Sequence, residues 1–174
     1  KANQFGAKFS GITNSLFTHK ISSGIIKKMM GVAPERSLPK VAKKSLRQLI
    51  DAGKIQLIPQ QKIRSVYLFI DEFTNLLDTN IGIDAIELLV GLGYEVKVVA
   101  HEESGRSYIS KGFLEEAQLL ANKNINIFKD LVTEEIPLIG IEPSAILSFR
   151  DEYLRLAKHR QDASVLVKKT FLIE

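Results

Sequence analysis

The chain has 174 residues, 45% apolar and 25% charged, and no cysteine; that suits one ordinary domain with a core and excludes disulfides, thiolate zinc sites and cysteine-ligated iron–sulfur clusters. Its net charge of +4 hides an asymmetry: residues 1–62 hold 12 Lys and Arg against Glu35 and Asp51, net +10, and residues 63–174 hold 12 against 18 acids, net −6. The basic half is mostly scattered lysines with three aromatics, Phe5, Phe9 and Phe17, so it is poor in the stacking residues of a single-strand binder and reads as a solvated face or a surface for an acidic neighbouring domain.

Residues 1–10 are polar and are expected to be loosely structured. Ile12, Leu16, Ile21, Ile25 and Met29 then fall near helical spacing, with Gly24 weakening the helix, Gly31 ending it and Pro34 confirming the break. Pro39 marks the start of a second helix with Ala42, Leu46, Leu49 and Ile50 on one side and Gly53 as its stop. Residues 1–62 thus form a helical leader that packs on the rest of the chain.

After the linker 54–62 the pattern changes. Arg64–Ile70 is a near-continuous apolar run of strand length, as expected for a strand buried on both faces. Asp71–Thr79 reads as a polar turn, and Ile81, Ala85, Leu88, Leu89 and Leu92 as a helix face closed by Gly93. Tyr94–Ala100 is a second strand, 101–112 a loop with Ser110 as N-cap, and Phe113–Leu131 a helix with Ala117, Leu120, Ala121 and Phe128 inward. Ile136–Ile141 is a third strand, and Pro143 opens a helix carrying Ile146, Phe149, Tyr153 and Ala157. The order predicts an α/β fold in three layers: a small parallel, Rossmann-like βαβαβα unit over 63–160, preceded by the helical leader and followed by a tail, 161–174.

No window approaches the ~20 apolar residues of a membrane span, and no signal-peptide pattern is present, so a cytoplasmic protein is expected. The start at Lys1 suggests a piece of a longer protein. No glycine-rich phosphate loop follows any strand, which disfavours nucleotide binding in the usual way.

The three predicted strands end in Asp71-Glu72-Phe73-Thr74-Asn75, in Glu102-Glu103-Ser104-Gly105-Arg106 and in Glu142-Pro143-Ser144-Ala145. A parallel sheet gathers all three ends at one edge, where open α/β sheets bind their ligands. Gly105 permits close backbone approach or positive φ. His101 is read as structural. With two carboxylates brought close, Arg106 is expected to pair with Glu72, Glu103 or Glu142.

At these residues the sequence resembles the cysteine-rich, CCG-type C-terminal domain of large FAD-linked oxidases of the D-lactate dehydrogenase kind. The same module occurs in the iron–sulfur subunit of glycolate oxidase and in heterodisulfide reductase. Family members read approximately Pro-Asp-Cys-Phe-Thr-Asn, Cys-Cys-Gly-Arg-Pro and Glu-Pro-Ser-Cys at the three strand ends. Here Glu72 stands in the first cysteine position, Glu103 and Ser104 in the next two and Ala145 in the last. The flanks Ile109-Ser110-Lys111-Gly112 and Phe149-Arg150-Asp151-Glu152-Tyr153 fit as well.

The resemblance implies that Glu72, Glu103, Ser104, Gly105, Arg106, Glu142, Ser144 and Ala145 occupy the family's cluster site in degenerate form. Oxygen ligands cannot replace thiolates around a sulfide cluster. The expected role is therefore a structural or docking module with no cofactor or catalytic residue of its own. FAD and iron–sulfur clusters are implied for the full-length protein, together with flavin and ferredoxin-like partner domains and peripheral membrane association. A second, similar repeat is expected beyond residue 174, and with it self-association of this fragment or a tail folded onto the bared surface. Two other readings stand beside this one. Glu72, Glu103 and Arg106 could hold a hard divalent cation or an anionic ligand, or Glu72 and Glu103 could work as an acid–base pair.

Overall fold

In the computed structural model, which describes residues 14, 15 and 19–173, four short strands form one parallel sheet in the order β2-β1-β3-β4. They are β1 (Arg64–Phe69), β2 (Tyr94–Lys97), β3 (Leu138–Gly140) and β4 (Thr170–Leu172). The helices, in chain order, are α1 (Lys20–Met30), α2 (Leu46–Asp51), α3 (Glu72–Leu76), α4 (Thr79–Gly91), α5 (Arg106–Ser110), α6 (Leu114–Phe128), α7 (Pro143–Leu147), α8 (Glu152–Leu156) and α9 (Arg160–Val167).

β1 sits inside the sheet, with Val66 opposite Val96 on one side and Leu68 opposite Ile139 on the other. Alternation of its side chains feeds two cores. Val66, Leu68 and Ile70 pack with Leu46 of α2, Ile86 and Leu89 of α4, and Val96. Phe69 packs on the opposite face with Ala121, Ile125 and Phe128 of α6 and with Ile146, Phe149, Tyr153 and Leu166. Each such side chain contributes roughly 1.5–3 kcal/mol on burial. That two-faced burial explains why Arg64–Phe69 has no polar alternation, and it makes the expected three layers: helices, sheet, helices.

Several elements differ from the sequence expectation. Asp71–Thr79 is not a turn but holds the one-turn helix α3, because buried Asp71 caps it, accepting from the amides of Phe73 and Thr74. The second helix begins at Leu46, well after Pro39, where Ser45 and Gln48 form a reciprocal capping box. Ser110 closes α5 instead of capping α6, whose N-cap is Phe113. The helix after Pro143 is broken into α7 and α8 around Ser148–Asp151. Within the tail, α9 buries Ala163 and Leu166, and β4 pairs in parallel with β3, Thr170 opposite Leu138. Gly24 lies within α1, and Gly31 at φ 67 ends that helix as expected. The readings made on residues 1–10, Ile12 and Leu16 lie outside the described residues.

Gly140 is required where β3 meets α7. A Cβ there would stand 2.4 Å from Ile146 Cβ, so only a hydrogen lets the helix approach the strand this closely. Among the described residues no helix is long and apolar enough to cross a membrane.

Candidate functional site

Because all strands run in parallel, the loops after β1, β2 and β3 emerge at one edge of the sheet. The chain order reverses between β1 and β3, which places the crevice of a doubly wound sheet beside Asp71 and Glu142.

The first motif is built into this edge residue by residue. Asp71 accepts from Thr74 Oγ1 as well as from the two helix amides. Asn75 Oδ1 accepts from the Arg47 amide in the first turn of α2, tying the leader to the sheet. Glu72 points the other way, toward the second loop. Its Oε2 accepts from the Ser104 amide at 2.9 Å and its Oε1 from Ser104 Oγ at 2.8 Å. Glu72 is 7% exposed and Ser104 fully buried. Desolvation raises the Glu72 carboxyl above its ordinary pKa against the pull of the Ser104 hydrogen bonds, and the charge of Glu103 adds to the rise.

Every polar group of Ser104 is engaged. Its Oγ accepts from the Arg106 amide at 3.1 Å, and its carbonyl accepts from the Tyr153 hydroxyl at 2.8 Å. Tyr153 in turn accepts from Asn124 Nδ2. Burial pushes the Tyr153 phenol upward, so it stays a neutral donor. Asn124 also donates to the Glu103 carbonyl and accepts from the Glu102 amide, clamping the loop on both sides of Glu103. Gly105 follows at φ 76, the left-handed conformation anticipated for it.

Asn124 was not anticipated. Its signal lies in the spacing: Ala117, Ala121, Asn124 and Phe128 fall on one helical stripe and all four are buried. A lone amide among inward-facing apolar residues needs a polar partner within the core.

Arg106 does not pair with Glu72, Glu103 or Glu142. Its Nη1 meets Glu152 Oε1 at 2.5 Å, with about a third of each side chain exposed. The reason is local: Glu72 is already saturated by Ser104, and α8 lifts Glu152 to the rim. Glu142 caps α7, its Oε2 accepting from the Ala145 amide and from Ser144 Oγ. Its charge helps raise buried Asp71, after desolvation. Ala145 is fully buried and offers only a methyl group. Arg150 is exposed.

His101 completes the edge as a structural group. Its Nε2 accepts from the Ile70 amide at 3.1 Å, which fixes the neutral tautomer with the proton on Nδ1, facing the Glu102 carbonyl. The ring stacks on Phe69 at 4.2 Å. Burial, aided by the nearby Arg47 charge, lowers its pKa to about 3.

The donor set does not fit a metal cluster. The two positions nearest each other, Glu72 and Ser104, satisfy one another, and Ala145 has no donor atom. Among the described residues no three acids or histidines converge on one point.

No model of a protein family matches the chain, and no solved structure does. Three similar curated proteins are named D-2-hydroxyglutarate dehydrogenase. That of Pantoea ananatis is 25% identical over 176 residues, 95% of this chain and 17% of its own length. That of Haemophilus influenzae is 26% identical over 181 residues, 98% of this chain and 17% of its own. That of Escherichia coli K12 is 29% identical over 114 residues, 65% of this chain and 11% of its own. The chain therefore spans less than a fifth of the length of the relatives it matches.

Proposed function

We propose that the chain is a cluster-free module of an FAD-linked D-2-hydroxy-acid oxidoreductase, holding its strand-end loops together by hydrogen bonds where related modules use cysteines. The similarity to D-2-hydroxyglutarate dehydrogenases over nearly the whole chain supports the larger enzyme class. The resemblance at the three strand ends supports the module. The observation that carries the reading is the Glu72–Ser104 pair. Two cysteine positions of the family pattern are filled here by a carboxylate and a serine that bind each other with two hydrogen bonds.

In this reading the module carries no redox step. Flavin belongs to another part of the polypeptide, since no strand here leads into a glycine-rich phosphate loop. Glu72, Ser104, Asn124 and Tyr153 keep the edge rigid and closed to water. The acid–base alternative gains nothing from the geometry, because Glu72 has both oxygens engaged and no open approach.

The test uses the full-length enzyme carrying Ser104→Ala or Glu72→Gln. Oxidation of D-2-hydroxyglutarate per bound flavin should stay within about twofold of the parent, while thermal stability falls. A hundredfold loss of turnover, about 2.7 kcal/mol in barrier, with flavin content and fold intact, would show a catalytic or electron-carrying edge and overturn the proposal.

A further inference from the structure

Away from the strand-end network, a groove of about 510 Å³ runs between the 40–44 segment and the N-terminal part of α4. Its floor includes the apolar side chains of Leu49, Leu77 and Ile83. Lys40, Lys43 and Lys44 line it and are exposed, and none joins an ion pair among the described residues.

An apolar floor beneath three such cations selects an occupant with apolar side chains flanked by carboxylates. A nucleic acid is disfavoured, because no aromatic side chain lines the groove. The occupant also has an evident source. The matched relatives extend over more than four-fifths of their length beyond the segment aligned with this chain. A cationic leader of net +10 fits a docked acidic neighbour better than an isolated domain.

We infer that this groove is the seat of an acidic, apolar-anchored segment of the same polypeptide lying outside these 174 residues. The inference rests on the reading of the chain as part of a larger oxidoreductase and names the surface through which it is joined.

Carbodiimide coupling in the full-length protein tests it. The reagent activates a carboxylate, a lysine amine displaces it to form an amide, and the reagent leaves as its urea, so only touching pairs are joined. Peptide mapping should find Lys40, Lys43 or Lys44 linked to Asp or Glu outside residues 1–174. The yield should fall several-fold at 1 M salt, where the screening length is about 3 Å. The triple variant Lys40→Glu/Lys43→Glu/Lys44→Glu should lose these links and become several-fold more open to limited proteolysis at the module boundary. Lys111→Glu, at an exposed site on a different loop, should change neither. Links only to carboxylates of an isotopically distinct second copy would overturn the inference in favour of self-association. Free labelling of all three lysines in an intact, flavin-containing, active enzyme would overturn it outright and leave the enzyme reading standing. A full-length protein without flavin would sink the enzyme reading, and the coupling pattern would still decide the docking.

Discussion

Replacing Ser104 by alanine removes two hydrogen bonds at once, the one its Oγ donates to Glu72 and the one it accepts from the Arg106 amide. Both groups are then stranded in a buried place, so the expected cost is about 1–3 kcal/mol. Combined with Glu72→Gln, urea unfolding should show a coupling energy of at least ~0.5 kcal/mol; additive costs would mean that the pair is not the tie it looks. Arg106→Ala should cost only about 0–1 kcal/mol, since its Glu152 partner is a third exposed.

His101 supplies a pH test. Its pKa is about 3 in the folded chain against an ordinary 6.5, so between those values the unfolded chain binds more protons. Stability should therefore be lost as pH falls from 6.5 toward 3, with a slope of at most about 1.4 kcal/mol per pH unit from this group. The raised carboxyls of Asp71 and Glu72 act oppositely, favouring the folded chain as pH falls through their folded pKa values. His101→Gln, which can still accept from Ile70, separates the two. Denaturation between pH 7 and 5 should lose stability in the parent and much less in the variant; equal slopes would contradict a buried neutral imidazole.

At the scale of elements, two helical glycines make opposite predictions. Alanine for glycine inside a helix is worth about 1 kcal/mol in propensity. At Gly24 in α1 nothing lies within 4 Å of a built Cβ, so Gly24→Ala should raise helicity and slow hydrogen exchange there. At Gly82 in α4 a Cβ would stand 2.4 Å from Leu46 Cδ2. Overpacking there should outweigh the gain, and Gly82→Ala should destabilise by about 1–3 kcal/mol. Gain at both sites by thermal unfolding would mean that α2 is free to move away from α4.

The same scale shows what the sequence could reveal. The longest helices, α1, α4 and α6, were legible from their periodic pattern, as was the doubly buried run of β1, whereas the eight-residue α9 was not. α7 and α8 were read as one helix without the break between them, and the five-residue helices α3 and α5 were missed, because a single turn carries no periodicity. β4, at three residues, was lost for the same reason, although Phe171–Ile173 had the right composition. Arg106 and Glu152 lie 46 positions apart, and nothing in the chain between them signals their meeting.

Across the whole molecule, the strand order places the three motif loops at one edge, and the cysteine-free composition decides what that edge can do. The alternation of strands and helices was enough to expect that gathering. It could not show that Glu72 and Ser104 would satisfy each other, because that depends on the depth to which α3 and the second loop are buried. The direct test of the central claim is to incubate the purified chain anaerobically with ferrous iron, sulfide and thiol, remove the excess, and record iron content and visible absorption. The expected result is a protein that is colourless near 400 nm with far less than one iron per chain. A broad absorption band in that region with about one or more iron atoms per chain would show that the strand-end oxygens do hold a cluster, and the hydrogen-bonded edge would then have to be abandoned as the module's working state.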